Sequence, residues 1–158
     1  MKRPENEKKR YQTFEDLEVY QVAREFRRAM YRVAKQLPGE EKFGLCSQIR
    51  RAAVSLTNNI AEGHGRFHFL EQIKFTLHSR GSLEELIDDL NVSDDERYLS
   101  VEEIASLKQR GWRLRQLIDG YIRYLREQKN SGPSSSVRET ALTYDDAREL
   151  GDDSRISM

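Results

Sequence analysis

Apolar residues recur at alternating steps of three and four in four successive stretches of the chain, the spacing of one face of an α-helix. In the first, Val19, Val22, Phe26, Ala29 and Val33 form a seam widened by Ala23, Met30 and Leu37. Thr13 and Asp16 stand three apart, as an N-cap and its first-turn acid do. Leu37-Pro38-Gly39 ends this helix at about Gln36, because proline cannot continue the hydrogen-bond ladder. The second helix starts near Glu40 or Glu41, acids that suit the positive end of a helix dipole, and Gly63-His64-Gly65 breaks it. Its stripe is Leu45, Ile49, Ala52, Leu56, Asn59 and Gly63, with Ala53 and Ile60 alongside. The stripe is small in the middle and polar at Asn59, so another helix is expected to come close and to answer the amide.

The third helix runs from about Phe67 to Asp94, with Phe69, Leu70, Ile73, Leu77, Leu83, Ile87 and Leu90 on its buried side. Gly81 lies inside it. We read one continuous helix with a close-packing point at Gly81, rather than a break capped by Ser82. Ser100 and Glu103 form a capping box for the fourth helix, whose seam is Ile104, Leu107, Gly111, Leu114, Ile118, Tyr121 and Leu125. That alternation is the heptad of left-handed bundle packing. The small residues Ala52 and Ala53 find candidate opposites in Gly81 and Gly111.

Four amphipathic helices on short links predict an all-α fold, an antiparallel up-down-up-down four-helix bundle over residues 13–128. Residues 1–12 are a charged arm and residues 129–158 a mildly acidic tail opened by Asn130-Ser131-Gly132-Pro133; both are predicted disordered. Trp112, Leu117, Ile122 and Tyr124 flank the fourth seam, and Tyr20 and Tyr31 lie outside the first. This surplus of apolar surface points to self-association.

Composition narrows the function classes. No run reaches the roughly twenty apolar residues of a membrane span, and the charged start has no apolar segment behind it, so a cytoplasmic location is expected. Cys46 is the single cysteine, which excludes an intramolecular disulfide, and its place in an amphipathic helix predicts a packed thiol. Net charge is zero, but residues 133–158 hold three basic and six acidic residues, leaving the rest at +3.

The catalytic motifs of helical proteins are missing. The Glu-x-x-His pairs of di-iron bundles are absent, since Ala61, Gly65 and Phe75 stand three before His64, His68 and His78. No arginine stands five to seven residues before a histidine, as in the HEPN-type helical ribonucleases. There is no phosphate-binding glycine loop and no nucleophile elbow, and no metal or cofactor site is predicted. His64 and His68 are parted by Gly65, which makes a shared metal-binding face a poor reading. Glu84, Glu85, Asp88 and Asp89 read as a solvated acidic face.

Two polar constellations remain. Arg24, Arg27, Arg28, Tyr31 and Lys35 share the wet face of the first helix, downstream of Lys8, Lys9 and Arg10. Arginines contact phosphates and a tyrosine can stack on an unpaired base, so this face is the candidate nucleic-acid site; it also fits an ordinary solvated surface. On the second helix Arg51, Ser55, Asn58 and Glu62 line up beside the inward Asn59, with Arg66 just past the end. With Arg80 these form a candidate polar network or subunit contact, read ahead of an active site built from Arg51, Asn59, Glu62 and Arg66.

The stretch Gln48-Ile49-Arg50-Arg51-Ala52-Ala53-Val54-Ser55-Leu56-Thr57-Asn58-Asn59-Ile60-Ala61-Glu62-Gly63, followed by Gly65-Arg66, resembles the signature of the four-helix-bundle proteins encoded in intervening sequences of 23S ribosomal RNA genes. Phe14-Glu15-Asp16-Leu17-Glu18-Val19-Tyr20-Gln21-Val22-Ala23 resembles the family's opening, and Gly81-Ser82-Leu83-Glu84-Glu85-Leu86 its third-helix motif. The resemblance implies a bundle assembled as a ring, typically a homopentamer. Related bundles are accessory proteins of retroelement reverse transcriptases, where a basic surface engages enzyme and RNA. It therefore implies a non-enzymatic, RNA- or reverse-transcriptase-binding oligomer, or else a protein-only scaffold. Arg80 departs from the small residue usual before Gly81. On or beside the buried stripe it needs a partner, with Glu84 or Glu62 as candidates.

Overall fold

The computed structural model describes residues 13–131. Four helices, α1 (Glu18–Gln36), α2 (Leu45–His64), α3 (Phe69–Asp95) and α4 (Val101–Ser131), run alternately up and down. Each packs on its chain neighbours, α2 on α3 most extensively, and α4 closes weakly on α1. The fold is the expected all-α four-helix bundle, with no strand among the described residues. The tails 1–12 and 132–158 lie outside the described residues, though α4 itself continues through Ser131.

The capping signals act one element away from where the sequence puts them. Thr13 donates its backbone N–H to Asp16 Oδ2 at 2.9 Å, but the box closes a single 3-10 turn, Phe14–Asp16, and α1 begins at Glu18. Glu40 and Glu41 lie in a second 3-10 turn, so α2 starts at Leu45. Glu41 still serves that helix. Its carboxylate accepts the Leu45 N–H at 2.9 Å and, through its other oxygen, the Tyr98 hydroxyl at 2.9 Å. One acid thus satisfies an orphan donor of α2 and ties down the loop entering α4. These bonds hold Glu41 below the usual carboxylate range and push the Tyr98 phenol up to about 12. Ser100 caps α4 as expected, accepting the Glu103 N–H at 3.2 Å.

The core is one cluster spanning all four helices, with Phe26, Met30, Ile49, Leu56, Leu83, Leu90, Leu114 and Ile118 fully enclosed. Cys46 is buried, its thiol donating to the Ala34 carbonyl at 3.2 Å, so it is the packed residue its setting predicts. The α4 seam runs as read from Ile104 to Ile118, after which Ile122 takes the buried place expected of Tyr121, which is half-buried.

The α2–α3 contact is where expectation and structure part. Five of the ten buried residues of α3 are polar: Thr76, Ser79, Ser82, Asp89 and Ser93. Ser79 donates to the Leu56 carbonyl of α2 at 2.6 Å, and Ser82 to Ser55 Oγ at 2.8 Å. Small hydroxyl side chains at these positions let the two backbones approach closely. Phe69 and Leu70, expected inside, are exposed, Leu70 at 59%. They occupy the first turn of α3, ahead of Gln72 and Phe75, which lie against Gly63 of α2.

The close approaches also fall on different glycines. Gly81 is exposed, with nothing within 4 Å of where a Cβ would stand, so it is no packing point. The helix runs through it unbroken. Gly111 is buried against Ile87 and Phe26, on α3 and α1 rather than on Ala52 and Ala53. α2 runs through Gly63 to His64, and a Cβ on Gly63 would meet Phe75 Cβ at 3.0 Å and the Gln72 carbonyl oxygen at 3.2 Å. Urea denaturation should therefore separate two alanine substitutions by sign. Gly81→Ala gains about 0.5–1 kcal/mol from helix propensity alone. Gly63→Ala loses about 1–3 kcal/mol, because a backbone carbonyl cannot step aside.

Candidate nucleic-acid interface

Core positions at Ala23, Phe26, Ala29, Met30 and Val33 turn the opposite side of α1 outward. Arg27, Arg28, Tyr31, Arg32 and Lys35 there line a recess of about 430 Å³. Arg24 lies one turn earlier and is exposed. Arg32, one turn beyond Arg28, belongs to this group although the sequence reading passed it over; the step of four was its signal.

The cations are held differently. Arg27 is half-buried and donates from Nη1 to the Thr57 hydroxyl of α2 at 2.8 Å, while Thr57 donates on to the Val54 carbonyl at 3.2 Å. Arg28 pairs with Glu25 at 3.1 Å within α1. No acidic partner stands against Arg24, Arg32 or Lys35 among the described residues. Arg50, two turns before Thr57 on the same face of α2, adds another exposed cation beside the α1–α2 seam. The surface thus offers fixed and free positive groups along about three turns of α1, an arrangement suited to successive phosphates.

Thr57 also corrects the reading of α2. It is the buried polar residue, at 1% exposure, whereas Asn59 is half-buried and bonds to its own helix at Ser55 O and Oγ, 2.8 and 3.0 Å away. The expected network divides into local contacts. Arg51 meets Glu85 of α3 at 2.9 Å across an exposed seam, and Ser55 links to Ser82. Glu62 pairs with Arg66 at 2.6 Å, and the Arg66 guanidinium lies 4.7 Å over the Phe75 ring. Arg80 is part of neither cluster. Its partner is Asp119 of α4 at 3.0 Å, not Glu84 or Glu62. Asp119 also accepts from Arg115 at 3.1 Å, and Arg115 pairs with Glu84, which makes a four-membered charge network on the α3–α4 seam.

The acidic run of α3 is solvated only in part. Glu84 and Glu85 are engaged in those ion pairs, and Asp89 is 5% exposed with no hydrogen-bond partner at Oδ2. Burial, then the neighbouring charges of Glu85 and Asp88, push the Asp89 carboxyl up to about 6; Arg51 opposes them. No group of metal-ligating side chains that could hold an ion occurs among the described residues, and no described helix is long and apolar enough to cross a membrane.

A model of the family described as 23S rRNA-intervening sequence protein matches residues 15–120, which includes α1, α2, α3 and most of α4. The chain belongs to that family. A search of curated proteins gives no match. As a member of the 23S rRNA-intervening sequence proteins, the chain has the four helices its signature implies, with the α2–α3 contact inside the matched region.

Asp89 gives a pH test. A carboxyl whose folded value lies above its unfolded value near 3.9 is penalised when charged. Folding stability should therefore fall as pH rises from about 4 to 7 through this group. Asp89→Asn should raise the thermal midpoint most at pH 7–8, with the gain shrinking steadily and disappearing near pH 4. A gain independent of pH would assign the effect to packing instead.

Proposed function

We propose that this chain is a non-enzymatic, oligomeric bundle that binds RNA through the outer face of α1. The observation that carries the reading is the recess framed by Arg27, Arg28, Arg32 and Lys35 around Tyr31, in which several cations have no acid to neutralise them. The family's description, which names 23S rRNA, supports RNA over other polyanions. Glu62, the carboxylate that an active site on α2 would need, is held in an ion pair with Arg66, which supports a binding role. On this reading the protein works in the cytoplasm and needs no cofactor.

Self-association belongs to the same proposal. Trp112 is 45% exposed, in a groove it shares with Asp94 of α3, and Tyr124, further along α4, is 53% exposed. The family resemblance favours a homopentameric ring, which would repeat the α1 face several times and raise its local positive potential. It also makes a reverse transcriptase a candidate protein partner. A scaffold that binds protein only is the second reading, supported by the same exposed aromatics and by the neutral net charge.

Fluorescence anisotropy with a labelled RNA tests the first reading. If about four phosphates are met, log affinity should fall with log salt at a slope near −3. Replacing Arg24, Arg27 and Arg28 together by glutamate should lower affinity at least tenfold with helicity unchanged. Binding that survives this reversal would remove α1 as the site.

A further inference from the structure

Tyr31 is unlike every other described tyrosine. Tyr98 hydrogen-bonds Glu41, Tyr20 packs edge-on to Phe14 at 4.9 Å, and Tyr121 and Tyr124 stack at 6.2 Å. Among the described residues Tyr31 has neither a ring neighbour nor a hydrogen-bond partner, although it is half-buried against the core. Half-buried phenols ordinarily find a partner for the hydroxyl. This one stands in the recess of about 430 Å³ between cations that precede and follow it on α1.

We propose that the α1 face is built for single-stranded rather than duplex RNA, with Tyr31 as the platform for one unpaired base. The inference rests on the RNA-binding reading above and adds its substrate class. Arg28, Arg32 and Lys35 follow one another at about one-turn intervals of roughly 5–6 Å, so they meet consecutive phosphates of one strand. A base splayed from that strand then reaches the recess, stacks on the Tyr31 ring and accepts or donates at its free hydroxyl. Bases of a duplex are stacked and paired, and only their phosphates would reach the cations. The Thr57 bond to Arg27 matters here: it holds one guanidinium beside the recess and keeps that wall in place before a strand arrives.

Affinities of the full chain for a 12-nucleotide single-stranded RNA, its duplex and the same strand with abasic positions test this at one salt concentration. The intact single strand should bind at least tenfold more tightly than either of the others. Tyr31→Leu, which keeps an apolar contact with the core, should remove that preference while leaving duplex affinity and the salt slope unchanged. Tyr31→Phe should keep most of it. Equal affinity for single strand and duplex, or a Tyr31→Leu variant that still prefers the single strand, overturns the platform while leaving α1 as an RNA site. Absence of binding to all three RNAs overturns the RNA reading as well.

Discussion

The bundle depends on how closely α2 and α3 can approach. The Ser79 hydroxyl reaches the Leu56 carbonyl at 2.6 Å, which requires the two backbones to lie nearer than large side chains allow. Gly63 and Ser55 on one helix and Ser79 and Ser82 on the other supply that space. A hydroxyl that bonds across the seam, or back to its own helix as Thr76 does to Gln72, is satisfied without a polar partner from elsewhere. The larger side chains then fill the remaining space between this pair and the outer helices α1 and α4.

That contact orders the polar surface around it. On one flank of α2 the seam with α3 is edged by ion pairs, Arg51 with Glu85 and Glu62 with Arg66, while Arg80, Glu84, Arg115 and Asp119 edge the α3–α4 seam. On the other flank Thr57 reaches α1 and fixes Arg27. On the α3 side Glu84 and Glu85 are each paired with an arginine. The α1 face is left with more cations than acids. A chain of zero net charge can therefore carry a positive surface, because neutrality of the whole says nothing about how the charges are divided among the helices.

Asp89 is the exception to this order. It is the one acid of the α3 run that is enclosed, and one of its oxygens has no hydrogen-bond donor. A buried carboxylate left in that state costs stability at neutral pH. Its position one turn after Glu85 and next to Asp88 makes the cost larger, since these like charges repel it toward the protonated form.

The sequence by itself determined that there are four helices, where the seams of α1 and most of α4 run, and which family the chain belongs to. Period and capping are local properties, so Ile104 to Ile118, the Ser100 box and the packed Cys46 were legible from spacing alone. The basic residues of α1 were legible as one face for the same reason. What a side chain meets across a seam is not local. It depends on the rotation of each helix against two neighbours and on where a neighbour ends. That is why Thr57 rather than Asn59 is buried, why Asp119 rather than Glu62 answers Arg80, and why Phe69 and Leu70 stay in solvent. Only the tertiary structure decided these, and with them the free hydroxyl of Tyr31 at the centre of the basic face.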